Sequence, residues 1–289
     1  MTEKLRRFVL SNQYLIDNNA FSELYEKLHS GEYKHELSEI LLSAGIDFLP
    51  YMASVPKKCF YESNIEKITL PNSIVDIENN SFYNCVNLKE VNFDNNLRSI
   101  GYSAFSRCSS LEDIIIPLNV KTIYEEAFSY CSNLTDLQIP DNVELLDRAV
   151  FLGCLDLVSV KLGSGISKIS PGLFRNCFSL KDVDLGKNII SIGWLAFDYC
   201  TSLEEIHIPD RVKLIDMYAF SHCSKLSRVY IGSKIERIEQ LAFGECEKLK
   251  DIYFNLTSTE FSGIKLADFA LPKGVTIHCT DKQFVYGGE

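Results

Sequence analysis

The chain has 289 residues, of which 46% are hydrophobic and 24% are charged, so it can bury a large core and does not have the composition of a disordered protein. Its 39 acidic and 29 basic residues give a formal net charge of -10, which argues against a nucleic-acid backbone or an anionic membrane as partner, because both attract basic surfaces. No stretch reaches the roughly 18 apolar residues of a membrane-spanning helix, so we expect no membrane insertion.

Residues 1–50 precede a repetitive region and have helical patterning. The segments "FSELYEKL" and "YKHELSEILLSAG" place apolar residues at helical spacing, and the second ends at Gly45, a residue type that commonly follows a helix C-terminus. We predict an N-terminal helical cap over residues 1–50, which covers the apolar end of the region that follows.

The start of the chain also bears on cellular location. The apolar run after the first basic residues is interrupted by Ser11, Asn12, Gln13 and Asp17, which is not typical of a signal peptide. We therefore expect a cytoplasmic protein. The alternative is a cell-surface or secreted protein whose leader has been removed.

Residues 51–254 repeat with a period of 23 residues. The unit has apolar residues three and six positions after its start, a phenylalanine, a cysteine three residues later, a leucine three residues after that, and a closing apolar pair. Eight units in register open at Pro71, Asp94, Pro117, Pro140, Gly163, Gly186, Pro209 and Gly232. A shorter first unit, "VPKKCFYESNIEKITLP", brings the total to about nine.

The pattern within one unit predicts its local structure. The closing alternation, as in "LEEIHIP", indicates a strand with one buried face, and the compact "AF..C..L" segment favours a tight helical turn. One unit cannot cover its own apolar face, so the units must stack as a solenoid whose parallel strands lie about 4.8 Å apart.

These columns resemble the leucine-rich repeat, and more narrowly its BspA-like bacterial subfamily, whose units read close to "IP..V..I...AF..C..L..V.". The resemblance runs from about Pro56 to Phe254, with small departures such as Ser63 in place of a cysteine. It implies an α/β repeat solenoid, a right-handed superhelix of 23-residue units with a parallel sheet on its concave face. It also implies binding to other proteins, because relatives in this group include surface adhesins for host or matrix proteins.

Residues 255–289 break the period. The stretch "SGIKLADFALPKGVTIHCTDKQF" resembles the irregular closing segment of the same subfamily. We therefore expect three parts in the chain: a helical cap at 1–50, repeats at 51–254 and a C-terminal capping segment at 255–289.

Ten cysteines, most of them in one repeat column, raise the alternatives of disulfides, metal ligands, a nucleophile or core packing. Disulfide frameworks are typical of short secreted chains. Zinc sites need clustered ligands such as Cys-x-x-Cys with matching partners, and a close pair such as His278 with Cys279 has none here. Stacked cysteines would lie within disulfide range, about 5 Å between Cα atoms, but with parallel side chains that suit bonding poorly. Cysteine is often fully buried, so we predict free thiols in the core, no metal site and no cofactor.

The outward residues of the closing strands are the candidate binding site, since the resemblance places them on the concave surface. One column is acidic at six of eight positions, and the other becomes aromatic towards the carboxyl end. The predicted site comprises Glu90, Asp113, Asp136, Asp182, Glu205, Arg228, Asp251, His207, Tyr230 and Tyr253.

Aligned carboxylates repel one another, a cost that a basic protein or peptide would relieve, while tyrosine and arginine dominate interface energetics. The alternative is a charged face that only keeps the protein soluble. No phosphate loop, dinucleotide fingerprint or nucleophile with an oriented base is present in the sequence, so we expect a recognition scaffold and not an enzyme.

Overall fold

The closing strand of each repeat stacks in parallel on the next, and the computed structural model, which describes residues 49–287, is a β-solenoid of about ten turns. Paired residues are 23 positions apart, as Lys168 pairs with Ser191 and Glu205 with Arg228. The 23-residue unit and its parallel stacking are thereby confirmed. The predicted helical cap at residues 1–50 lies outside the described residues, except for its last two positions.

The described residues form twenty strands, most of which alternate between two strips of the solenoid. In chain order these are β1 (Ser54–Val55), β2 (Lys67–Thr69), β3 (Asp76–Ile77), β4 (Glu90–Asn92), β5 (Ser99–Ile100), β6 (Thr122–Ile123), β7 (Asp136–Gln138), β8 (Leu145–Leu146), β9 (Ser159–Lys161), β10 (Lys168–Ile169), β11 (Asp182–Asp184), β12 (Ser191–Ile192), β13 (Glu205–Ile208), β14 (Leu214–Ile215), β15 (Arg228–Ile231), β16 (Arg237–Ile238), β17 (Asp251–Phe254), β18 (Lys265–Leu266), β19 (Thr276–His278) and β20 (Gln283–Val285).

The longer strands form one strip, called the strand face below. It consists of three sheets, β2–β4, β7–β9–β11 and β13–β15–β17–β19–β20. The two-residue strands form the second strip, in two sheets, β1–β3–β5–β6–β8 and β10–β12–β14–β16–β18. The strand face is therefore interrupted between β4 and β7 and again between β11 and β13.

The "AF..C..L" segment joins the two strips by consecutive turns and is not helical, so the predicted helical turn is wrong. On either side of Phe128, Glu126 and Tyr130 have left-handed backbone φ values of 57° and 59°, and equivalent pairs recur along the repeats. The segment's N–H groups reach the next repeat, as Phe128 N donates to the carbonyl of Val150 at 3.0 Å. The segment therefore forms a third ladder between repeats.

Helix is scarce in the described part of the chain. It is limited to a 3₁₀ turn at Leu49–Tyr51 and a four-residue helix, α1, at Ser258–Phe261. Residues 49–287 are consequently a β-solenoid and not the α/β class expected from the sequence.

A stack of buried phenylalanine rings runs along the core. Neighbouring rings have centroids between 4.8 and 5.8 Å apart, which is close to the distance between stacked strands. They are inclined by 7° or less, except for 25° between Phe174 and Phe197. The stack comprises Phe60, Phe82, Phe105, Phe128, Phe151, Phe174, Phe197, Phe220 and Phe243.

The cysteine column lies beside this stack and is also buried. Each of its thiols donates to the phenylalanine carbonyl of the preceding repeat, as Cys131 Sγ does to Phe105 O at 3.2 Å. Burial raises the pKa of Cys154 to about 12. The prediction of free thiols in the core is confirmed, and only Cys279, beyond the repeats, is half-exposed.

Residues 255–287 extend and then close the solenoid. A capping box between Thr257 and Glu260 begins α1, after which β18 and β19 add one more strand to each strip. The last strand, β20, pairs antiparallel with β19 and so covers the edge of the final sheet. Among residues 49–287, no helix is long and apolar enough to cross a bilayer.

Candidate functional site

The strand face carries two rows of outward side chains. In β15, Val229 and Ile231 are buried while Arg228 and Tyr230 point away from the core, and the other strands repeat this alternation. The first outward row is Lys67, Glu90, Asp113, Asp136, Ser159, Asp182, Glu205, Arg228, Asp251 and Thr276. The second outward row is Thr69, Asn92, Ile115, Gln138, Lys161, Asp184, His207, Tyr230, Tyr253 and His278. All ten residues predicted from the sequence lie in these two rows, exposed or half-exposed.

Cations from neighbouring repeats partly neutralise the first outward row. Lys67 Nζ lies 2.7 Å from Glu90, and Arg228 lies 2.8 Å from Glu205. The hydrogen bond from Lys67 lowers the pKa of Glu90. Asp251 Oδ1 lies 2.7 Å from His278 Nε2.

The remaining carboxylates lie in the middle of the row. Asp136 accepts a hydrogen bond from Ser159, and Asp113 and Asp182 have no ion pair among the described residues. Three of the six acids in this row therefore face a basic group, so the repulsion between aligned carboxylates is smaller than the sequence alone suggests. The acids of the first outward row that have no basic neighbour among the described residues, Asp113, Asp136 and Asp182, lie together in the middle of the strand face.

The second outward row ends in a stack of four rings. His207 and Tyr230 are 4.3 Å apart between centroids, Tyr230 and Tyr253 4.8 Å, and Tyr253 and His278 4.3 Å, with interplanar angles of 14° or less. Because the ring faces cover one another, this aromatic row presents ring edges, two hydroxyls and imidazole nitrogens. Its pre-stacked rings lose little side-chain freedom when a partner covers them.

The aromatic row borders a shallow cleft of about 310 Å³, which also contains Asn255, Cys279 and Thr280. His278 fixes one end of the row through its contact with Asp251, so the two outward rows are connected there. Sequence reasoning missed His278 because Ile252 pairs with Ile277, 25 positions on and not 23. The alternation in "VTIHC" was the signal that could have found it.

The strand face is disrupted at residues 113–116, between β4 and β7. Ile114 and Ile116 remain buried, but the residue between them, Ile115, is 78% exposed, and nearby Leu118 is 66% exposed. A cleft of about 500 Å³ lies on the β4 side of this segment and one of about 940 Å³ on the β7 side.

A polar cluster lies at the turn segments, away from the strand face. The buried Asp198 carboxylate accepts a hydrogen bond from Arg175 Nε at 3.0 Å and lies 3.0 Å from His222 Nδ1. Ser221 Oγ contacts the same nitrogen at 3.0 Å. A catalytic triad needs the carboxylate and the hydroxyl on opposite ring nitrogens, so this arrangement does not activate the serine.

The described residues contain no group of three or more histidine, cysteine or acidic side chains that could hold a metal ion. Burial also raises the pKa of most thiols in the cysteine column, for example Cys131 and Cys177, which disfavours the thiolate that nucleophilic or metal chemistry requires. The strand face therefore offers groups suited to binding: charged side chains, the edges of aromatic rings and exposed apolar side chains.

Comparison with known proteins gives a fold and a family. Solved structures that resemble this chain include a leucine-rich repeat protein from Bacteroides ovatus, with a TM-score of 0.60 and 23% identity over 79% of this chain and 66% of that chain. A leucine-rich cell surface protein from Faecalibacterium prausnitzii has a TM-score of 0.46 and 22% identity over 72% of this chain and 84% of that one. The pneumococcal vaccine antigen PcpA has a TM-score of 0.40 and 22% identity, with 74% of each chain covered.

This chain thus spans 66% of the length of the Bacteroides ovatus protein. No curated protein matches it. The BspA type leucine-rich repeat region, in six copies, matches residues 53–181 and 167–284, which together cover most of the sequence. The chain therefore belongs to the family of proteins with a BspA-type leucine-rich repeat region.

Proposed function

We propose that this chain is a non-enzymatic scaffold that binds another protein through the strand face, taken here as the concave side of the solenoid. The observation that carries the proposal is that each repeat separates its recurring residues from its variable residues. The recurring residues are phenylalanine, cysteine and leucine, and they are buried. The residues that change from one repeat to the next lie side by side in the two outward rows. A surface that varies over a constant support is the arrangement that recognition by solenoid proteins uses.

The aromatic row supplies the energetic anchor of this proposal. Tyrosine is enriched among the residues that contribute most to binding energy, and Tyr230 and Tyr253 are held by their neighbours at the centre of a four-ring stack. Arg228 lies beside them, and the uncompensated acids towards Asp113 favour a partner with basic groups. The proposal applies equally to a protein inside the cell and to one at its surface.

Affinity capture from the native cell tests the proposal. The double variant Tyr230→Ala with Tyr253→Ala removes the centre of the aromatic row. The control, Tyr102→Ala with Tyr124→Ala, removes two tyrosines that are 42% and 44% exposed near the second strip. We expect the native chain and the control to retain a common protein that the strand-face variant loses. Equal capture by all three folded chains contradicts recognition through the strand face.

A further inference from the structure

The inference concerns the part of the strand face between Ile115 and the aromatic row, and it deepens the proposed function, on which it rests. Both ends of this part expose groups suited to apolar contact. At one end Ile115 is 78% exposed and Leu118 is 66% exposed, and both line the cleft of about 940 Å³. At the other end the aromatic row begins with the stacked rings of His207 and Tyr230. The strand face thus offers two separate places for an apolar contact.

The outward positions between these two ends are acidic. In the four coils from Asp113 to Asp184, the two outward rows contain four carboxylates and one basic residue, Lys161, which lies in register with Asp184. Beyond these coils, each acid of the first outward row faces a basic group. A partner segment with lysine or arginine side chains at its centre therefore complements the charge of this region.

The distance between the two ends limits what can contact both. Ile115 and Tyr230 occupy equivalent positions of the second outward row, five repeats apart. At about 4.8 Å per coil, their separation along the solenoid is about 24 Å. An α-helix covers this distance with about 16 residues, and its residues three or four apart lie on one face. One helix of ordinary length can therefore contact both ends and the acids between them.

The strand face has no room for a partner strand in this region. Residues 113–116 lie between the coils that carry β4 and β7, and Thr135 N, just before β7, donates to Glu112 O. On the second strip of the same repeats, β5, β6 and β8 are continuous. A partner must therefore satisfy its own backbone N–H and C=O groups and bind through side chains, as a helix does.

We propose that the strand face binds a basic amphipathic helix of a partner protein, which lies along the solenoid from Ile115 to the aromatic row. Apolar side chains at one end of the helix pack on Ile115 and Leu118, and those at its other end pack on Tyr230. Lysine or arginine side chains between them pair with Asp136 and Asp182. A second copy of this chain is a poorer occupant, because each copy carries a net charge of -10.

Fluorescence anisotropy with synthetic probes and the full chain tests this proposal. The probe is a labelled alanine-based peptide of about 20 residues, with leucine and tryptophan about 15 residues apart on one helix face and three lysines between them on that face. Three comparison peptides replace the lysines by glutamate, place two prolines at the centre, or bring leucine and tryptophan two turns closer. We expect the probe to bind the native chain and each change to weaken binding at least fivefold, since the changes remove the charge, the helix and the span.

Matched variants locate the binding. Asp182→Lys and Ile115→Ser should each weaken binding of the probe at least fivefold, and so should Tyr230→Ala at the other end. The controls Asp156→Lys and Leu155→Ser make the first two changes at exposed residues of a turn segment, away from the strand face, and should weaken binding less than twofold. Circular dichroism checks that all five variants fold like the native chain.

Three results overturn the inference: absence of probe binding, equal weakening by Asp182→Lys and Asp156→Lys, or undiminished binding of a comparison peptide. Undiminished binding of the proline peptide would identify an extended segment as the occupant, and that of the shortened peptide would identify a single contact. A dimer by light scattering that Ile115→Ser converts to monomer also overturns the inference and identifies a second copy as the occupant.

Affinity capture from the native cell separates this inference from the proposed function. Loss of capture in the Tyr230 and Tyr253 double variant, with no probe binding, rejects the helix and leaves the proposed function standing. Equal capture by the native chain and that double variant rejects the proposed function, whether or not the probe binds.

Discussion

The turn segments and the strand face belong to the same repeats, yet one is continuous and the other is broken. The phenylalanine rings stack without a gap from Phe60 to Phe243, and the buried thiols follow them. The strand face is interrupted twice, and its outward residues differ from repeat to repeat. The buried columns therefore hold the repeats in register, and the strand face can lose ladder hydrogen bonds and vary its outward residues without loss of the fold.

Alkaline pH should lower the free energy of unfolding mainly through the buried cysteine column and far less through the strand face. Burial raises the pKa of six column thiols above their ordinary value of 9.0. The unfolded chain therefore loses these protons first, so the free energy of unfolding is unaffected well below pH 9 and falls as the pH rises above it. At about 1 kcal/mol per thiol, the loss between pH 9 and pH 10 is on the order of 6 kcal/mol. Denaturant unfolding with reductant present, followed by circular dichroism at each pH, measures it.

A variant of the column separates thiols from tyrosines and lysines, which also titrate in this range. Cys154→Ser removes one titrating group and keeps a hydroxyl donor, and Ser63 already occupies the equivalent buried position of the first repeat. We expect its stability to fall less steeply with pH than that of the native chain. Identical slopes for the two chains would refute the role of the thiols.

The core ring stack and an exposed residue of the strand face can be compared directly by truncation. Phe128→Ala empties a fully buried position between two stacked neighbours and should lower the free energy of unfolding by about 3 to 5 kcal/mol. Ile115→Ala, on the strand face, should cost less than about 0.5 kcal/mol because its side chain is already in water. Chemical denaturation of both variants checks the pair. A loss under about 1 kcal/mol at Phe128 would mean that the column is not the support described here.

The contacts of the buried Asp198 carboxylate should make an intermediate contribution to the free energy of unfolding. Arg175→Ala removes one of its two basic contacts and leaves a charged group inside, which should cost about 2 kcal/mol. Its control, Arg148→Ala, breaks an ion pair with Glu125 in which both side chains are more than one-third exposed, and should cost less than about 1 kcal/mol. Thermal unfolding of the two variants measures the contrast. Equal losses of stability in the two variants would show that burial of Asp198 does not strengthen its contact with Arg175.

The contrast between buried columns and outward rows could largely be predicted from the sequence. The 23-residue period aligned the buried columns and the two outward rows at once, because residues that share a position in stacked repeats share an environment. The basic partners of the first outward row's acids could not all be predicted from the sequence. Lys67 belongs to the irregular first unit and His278 to the irregular closing segment, and both lie outside the eight aligned repeats.

Two structural features had no sequence signature. Left-handed backbone at residues such as Arg107, Tyr130 and Leu195 is unusual for side chains with a Cβ, and glycine, its usual marker, stands at only a few of these positions. Hydrogen bonds between repeats offset the local cost, so the conformation comes from stacking and not from local preference. The break at residues 113–116 occurs in "EDIIIP", whose alternation and isoleucines favour a strand.

The smallest expected effect on stability lies in the aromatic row of the strand face. Tyr230→Ala removes two ring contacts, to His207 and Tyr253, and should cost about 1 kcal/mol, whereas Tyr230→Phe keeps the stack and should cost almost nothing. Tyr124, which has no ring neighbour in the described part of the chain, serves as the control, and Tyr124→Ala should be nearly neutral. Equilibrium denaturation resolves these differences. If Tyr230→Ala is as neutral as Tyr124→Ala, the rings do not stabilise one another, and the aromatic row is not ordered in advance for a partner.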